Sequence, residues 1–438
     1  MAVNLSRTAF LLLVLIQVCL SLLQYHTLFR TESSKGLSQT SIKAVEGVDL
    51  QHVERVFAIS DLHIDNPINL SWLKEHCQTQ LADGPGSKDV LIIAGDVSHE
   101  ISKLVEAFSI IRQGLKCNIF FVPGNHEAWI GGHELDSYSI HTSLDKLDAV
   151  KDMCRDMGVH TDPAIIGVQH NHPAWILPME SWYDGSLALQ GCGDLCQDFA
   201  KWPWTDFLRC KWPQEYQTVP HLGKIPIGLG DMFLKKNEIG IQRVHESFLH
   251  WESSSTKHLG LITFSHFLPN SQTLPDWKNP QSDVFMRSEW LSHPVPEISA
   301  KFAKVAGSIN LEKQIRSILP SQTAISLHSS NRHQIHHTHV FGHSHRPKDF
   351  TLKDIRYIHN PLGKPVERDM NLIPRDVNFK LIWDCRSGGN VQGKTIVRYW
   401  EENGGIYNPE RMKPQPMRSF PVQTGKSAPV AYSVKQVE

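Results

Sequence analysis

From about Val53 onward, short apolar runs stop abruptly at polar residues. Segments 56–60, 90–94, 119–122, 261–264 and 339–341 are rich in β-branched and aromatic residues and lack clean apolar–polar alternation. That pattern predicts strands buried on both faces. Between them, Leu104, Val105, Phe108, Ile111 and Leu115 recur at three- and four-residue steps and predict a helix over 101–115. Leu144, Leu147, Val150, Met153 and Cys154 predict a second helix over 143–157, with Thr142 or Ser143 as its N-cap. Strand and helix in alternation imply an α/β domain whose central strands are covered by helices. The stretch 181–212, dense in Trp, Pro and Cys, reads as an irregular insertion over one end of the sheet.

The ends of the chain break this pattern. The first thirty residues carry one basic residue, Arg7, before an apolar run from Ala9 to Leu23. This predicts a targeting segment, with membrane anchor and cleaved signal equally compatible and an organelle transit peptide also open. The secretory pathway or a membrane-anchored location follows as the favoured expectation. Residues 31–52 read as a polar linker, 53–385 as the folded domain, and 386–438, rich in Gly, Pro, Gln and Lys, as an irregular tail.

Composition narrows the chemistry. A formal net charge of −1 with scattered Lys and Arg provides no basic stripe for a phosphate backbone, which disfavours nucleic acid as an obligatory partner. Eight cysteines without a CxxC pair argue for buried free thiols over a disulfide framework or a thiolate zinc site, the loose group Cys192, Cys196 and Cys210 included. The 25 histidines matter only through their positions.

Each predicted strand ends in potential metal ligands: Asp61 and His63, Asp96, Asn125 followed by His126 and Glu127, His266, then His343 and His345. Ligands in open α/β sheets bind beyond the carboxyl ends of the strands, where distant loops converge. Asp61 and His63, two apart, would point the same way from extended backbone and chelate one ion. His343 and His345 share that spacing and could serve one ion or two. Carboxylate, imidazole and amide oxygen together suit Mn, Fe, Zn or Co. Seven ligands exceed what one open catalytic ion uses, so two divalent ions sharing a carboxylate are expected.

The order D-x-H, G-D, G-N-H-E, lone His, G-H-x-H resembles the calcineurin-like metallophosphoesterase superfamily across about residues 53–362. The resemblance implies a two-sheet β-sandwich flanked by helices. It also implies one metal on Asp61, His63 and His345, the other on Asn125, His266 and His343, with Asp96 bridging and His126 at the substrate. Val97 to Glu100 after Asp96 departs from the protein Ser/Thr phosphatases, and His99 stands where purple acid phosphatases carry an iron-binding tyrosine. The segments 181–184, 264–267 and 360–363 are similar to a little-characterised branch. The expected reaction is hydrolysis of a small phosphomonoester or phosphodiester by hydroxide bridging the two metals; the alternative is a metal-free scaffold of the same fold.

Other features carry less. His99 is a candidate to support a ligand or to contact substrate, and Glu127 is expected to orient a neighbouring ligand. His333, His336, His337 and His339 read as a solvated loop leading into the last motif. Asn69-Leu70-Ser71 forms a glycosylation sequon of little weight, and the aromatics of the insertion read as its own small core.

Overall fold

The computed structural model describes residues 50–79, 83–131, 140–188, 199–216, 225–254, 259–277, 296–319, 335–391 and 393–405. The targeting segment, nearly all of the linker, Cys192, Cys196, His333 and the tail beyond 405 lie outside the described residues.

The first half runs β1 (Arg55–Ile59), α1 (Pro67–Gln78), β2 (Asp89–Ala94), α2 (Ile101–Gly114), β3 (Asn118–Val122), α3 (Asn125–Ala128) and α4 (Ser143–Asp156). Next come β4 (Ala164–Ile166), β5 (Ala174–Pro178), α5 (Asp206–Arg209), α6 (Leu229–Ser254) and β6 (Gly260–Phe264). The remainder is α7 (Pro296–Ala306), α8 (Ile309–Ser317), β7 (His337–Val340), β8 (Lys348–Leu352), β9 (Ile355–His359), α9 (Pro365–Asp369), β10 (Lys380–Asp384), β11 (Gly389–Asn390) and α10 (Tyr399–Glu402). Of the stretch expected to be an irregular tail, the described part thus carries β11 and α10. Helix α4 begins as its sequence predicts: the Thr142 hydroxyl accepts from Asp145 N, and the Asp145 carboxylate accepts from Thr142 N at 2.8 Å, a reciprocal cap.

The strands form two sheets, ordered β11-β10-β1-β2-β3 and β4-β5-β6-β7-β9-β8. Burial on both faces explains the missing alternation. From the first sheet Val56, Ala58, Ile92 and Val122 meet Ile262, Phe264, Val340 and Ile358 of the second, forming the inter-sheet core. Their neighbours Phe57, Ile59, Ile93 and Phe121 face outward under Leu73, Leu104, Phe108 and Val150 of α1, α2 and α4. On the far side Leu261, Phe341 and Tyr357 pack under Val244, Phe248, Leu311 and Ile315 of α6 and α8. A fully buried side chain of this kind contributes about 1.5–3 kcal/mol, so Phe108→Ala is a change large enough to loosen the α2 layer.

The pairing places the site. β1, β2 and β3 are parallel, as are β5, β6, β7 and β9. Their carboxyl ends therefore share an edge within each sheet, and a bridge between Ser60 and Pro361 joins the two edges.

One expectation is corrected here. His337 is not in a solvated loop; it lies in β7 together with His339, which the strand expected over 339–341 already contained, and the two are 4% and 0% exposed. The Thr263 hydroxyl sits between them, 2.9 Å from His337 Nε2 and 2.8 Å from His339 Nδ1, which satisfies the imidazoles under the helices. The Asn69 sequon is closed as well, because its amide is fully buried and donates to Leu62 O and Gly363 O. Cys77, Cys117, Cys154, Cys210 and Cys385 are free thiols. No helix of the described residues is long and apolar enough to cross a membrane.

Candidate metal centre

All seven strand-end residues converge where the two sheet edges meet. Asp61, His63, Asp96 and His345 place one ligand atom each within 4.8 Å of one another, and Asp96, His266 and His343 do the same. Asp96 belongs to both groups: its Oδ1 lies 3.4 Å from His266 Nε2 and its Oδ2 lies 4.0 Å from His63 Nε2. His343 and His345 fall into different groups, one of the two arrangements their spacing left open.

The backbone arrives by an unexpected route. Asp61 and His63 point together without being extended, for their φ angles are +54° and +42°. Asp96, His343 and His345 are also left-handed, at +56°, +72° and +50°. Five non-glycine residues in this sparsely populated region cost of order 1–3 kcal/mol each, strain that concentrates where function requires it. Packing is tight enough that Gly124 admits no side chain: a Cβ there would run into Asp96 Oδ1, and one on Gly95 would come within 2.5 Å of His266 Nδ1.

Proton positions follow from the fixed partners. His266 Nδ1 faces Ala94 O at 2.9 Å and His343 Nε2 faces Val305 O at 3.0 Å, and a carbonyl can only accept. The ring protons are thereby spent outward, leaving lone pairs on His266 Nε2 and His343 Nδ1 in the neutral rings. Asn125 Nδ2 donates to the Asp206 carboxylate at 2.8 Å, so Asn125 Oδ1 also faces inward. These three acceptor atoms stand 3.0, 3.1 and 3.2 Å apart. Acceptors that close repel unless a cation lies among them, and ligands about 2.0–2.1 Å from a tetrahedral ion stand about 3.3 Å from each other. The donor set fits a transition-metal ion. The other group repeats the device: Glu367 Oε2 takes the His345 Nδ1 proton at 2.8 Å, turning Nε2 toward His63 Nε2 at 2.8 Å and Asp61 Oδ1 at 3.5 Å.

The charges agree. Burial resists ionisation of Asp61, but His345 and the hydrogen bond from His359 outweigh it and hold the carboxyl below its usual range. Burial also opposes the charge on Asp96, and His126 and His266 outweigh it. Burial works against protonation of His266, yet Asp96 lifts it to about 9, so without a metal a proton on Nε2 takes the place among the acceptors that a cation would fill. Burial and then His345 press His63 down to about 4, and burial and then His266 press His343 down to about 3.

His126 is not among the seven. Its N–H donates to Asp96 Oδ1 at 3.0 Å, its ring stacks on Trp129 with centroids 3.7 Å apart, and its buried Nδ1 has no hydrogen-bond partner. His99 sits to one side with its Nδ1 3.2 Å from Asp65 Oδ1, and Asp65, His99 and His126 make a third loose group. Glu127 accepts from the backbone N–H of Asp96, Val97, Ser98 and Gly124, so it ties the second and third motif loops together. Burial, then Asp96, raises its carboxyl to about 7.

Three supporting residues escaped the sequence reading. His359 donates to Asp61 Oδ2 at 3.0 Å, Glu367 braces His345, and Asp206 braces Asn125. Only His359 left a trace, as a histidine closing an apolar strand like the others. Trp182, Tyr183 and Phe199 do not form a core of the insertion alone but pack with Leu147, Phe233, Phe267 and Val305 of the elements around it, and Trp204 meets His343 edge-on at 5.9 Å.

Residues 54–188 match the calcineurin-like phosphoesterase family. No curated protein matches the chain. Among solved structures, the phosphopantetheinyl hydrolase of Mycobacterium tuberculosis is similar at 18% identity and a TM-score of 0.47, over 76% of this chain and 96% of that one. TT1561 of Thermus thermophilus is similar at 13% identity and a TM-score of 0.33, over 72% and 91%.

Proposed function

We propose that this chain, whose residues 54–188 match the calcineurin-like phosphoesterase family, hydrolyses a small phosphomonoester or phosphodiester with two divalent cations. The observation that supports this most is the meeting of His266 Nε2, His343 Nδ1 and Asn125 Oδ1 at 3.0–3.2 Å, while His266 Nδ1, His343 Nε2 and Asn125 Nδ2 face Ala94 O, Val305 O and Asp206. Asp61, His63 and His345 would hold one cation, Asn125, His266 and His343 the other, and Asp96 would serve both. Bound there, two such ions would acidify water to supply the nucleophile and neutralise phosphoryl oxygens.

The chain's own residues do the rest. Asp61 and Asp96 are kept ionised, and Glu127 holds the loop amides that carry Asp96 and Asn125 in register. His126, held flat against Trp129 with Nε2 3.7 Å from Asp96 Oδ2, would serve the leaving oxygen. Donating to that oxygen is worth about 10² to 10⁴ in rate. Residues 53–385 constitute the catalytic domain in this reading.

A panel of p-nitrophenyl monoesters and diesters, assayed before and after chelation and after adding back Mn²⁺ or Zn²⁺, tests the reading. Hydrolysis abolished by chelator and restored by metal is expected. Hydrolysis indifferent to chelator would overturn it.

A further inference from the structure

An asparagine side chain offers an oxygen and a nitrogen of nearly the same shape, and only the oxygen can ligate a cation. Something must therefore choose the orientation of Asn125. The choice comes from the insertion. Asp206, in α5, is 2% exposed. Its Oδ1 accepts from Asn125 Nδ2 at 2.8 Å and from Trp129 Nε1 at 2.7 Å, and its Oδ2 accepts from Trp204 Nε1 at 2.9 Å. The Oδ1 that accepts from Trp129 Nε1 can only accept again, so it admits the amide nitrogen-first and turns Asn125 Oδ1 toward His266 Nε2 and His343 Nδ1. The indole partners extend its reach: Trp129 carries the stacked ring of His126, and Trp204 stands edge-on to His343.

We propose that Asp206 is a positioning residue, an insertion-borne carboxylate that presents Asn125 oxygen-first to the cation shared with His266 and His343 and seats His126 through Trp129. This rests on reading that cluster as a cation site. It also gives the insertion a task in the chemistry beyond covering one end of the sheets.

The test is a hydrogen-bond reversal, read as Mn²⁺ and Zn²⁺ affinity by chelator competition on the full-length protein. D206N keeps the shape but sets an amide nitrogen against Trp204 Nε1, or against Trp129 Nε1 and Asn125 Nδ2, so its hold on the Asn125 amide weakens. Affinity at one of the two sites should fall about 10- to 100-fold while the other holds. N125D sets two carboxylates face to face and should lose affinity at the same site. In N125D/D206N the amide donates from position 206 to the carboxylate at 125, at the cost of the hydrogen bond from Trp129 Nε1, so affinity should recover part of the loss seen in N125D. A residue that merely helped the insertion fold would give no such rescue.

D206N with both sites unchanged, or a double variant no better than N125D, overturns the assignment of Asp206 while leaving the two-cation reading in place. Fewer than two cations on the wild-type chain overturns both. Should D206N alone fail to fold, N125D against N125D/D206N still decides, and kcat for a poor leaving group should recover with the metal.

Discussion

The two halves of the candidate metal centre are braced in opposite ways. Around Asp61, His63 and His345 the backbone is left-handed at every ligand, and the supports are side chains: Glu367 on His345, His359 and Ser60 on Asp61. Around Asn125, His266 and His343 only His343 is left-handed, and the two imidazoles are braced by the carbonyls of Ala94 and Val305. The first half is also the more open, with the His345 side chain 12% exposed against 0% for His266. A carboxylate behind a ligating histidine strengthens it as a donor and adds negative charge, whereas a carbonyl orients it and adds none. Charge and backbone strain therefore set the first half, and burial and direction set the second. Mutation can reach the supports of the first half directly, but those of the second only through Asp206.

The largest effect should come from the residue the halves share. Asp96→Asn should lower metal occupancy at both sites and reduce activity by more than the ~10–100-fold typical of a supporting residue. Metal content per chain checks this, and full occupancy at both sites would mean that Asp96 does not join them.

Next is His126, which belongs to neither half. His126→Ala should leave both metals bound while kcat falls by about 10² to 10⁴ for a poor leaving group, and by less for an activated aryl ester. Loss of a metal would make it a ligand; equal losses on both esters would assign it to charge stabilisation instead.

Glu367→Gln should separate the halves, weakening one metal about 10- to 100-fold and sparing the other. Equal weakening of both would erase the contrast between the halves.

The smallest effect lies away from the centre. Burial, then Arg316, lowers His337 from 6.5 to about 3, and burial, then His337, lowers His339 well below its ordinary value. Both stay neutral in the fold and take protons once unfolded, so the stability linked to them is complete above about pH 6.5. It is lost as pH falls toward about 3. The slope approaches about 1.4 kcal/mol per pH unit for each histidine, and His337→Gln should remove one such share. Denaturant midpoints of the two proteins at pH 7 and pH 5 would show it; parallel shifts would refute it.

The contrast between the halves also marks what the sequence could disclose. The five apolar runs became β1, β2, β3, β6 and β7 within two residues at the amino ends, because strands buried on both faces have few other readings. Their polar endings then had to gather at parallel strand ends, so all seven ligand candidates were legible. The supports were not. Glu367 and Asp206 lie in short helices with no motif around them, and only the folded chain brings them to His345 and Asn125. The two-residue spacing of Asp61 and His63 suggested extended backbone, since nothing local announces a left-handed turn forced by packing. His337 looked like a loop residue because imidazole is polar, and the buried Thr263 hydroxyl that accommodates it is distant in sequence.

In the proposed centre two cations share one carboxylate. Its most direct test is the number of metal ions per full-length chain, by mass spectrometry of the elements after saturation with Mn²⁺ or Zn²⁺ and removal of the excess, with ester hydrolysis followed on the same samples. The account predicts close to two ions per chain, and activity that appears only as the second is bound. One ion or none on a chain that hydrolyses the ester at full rate would contradict it.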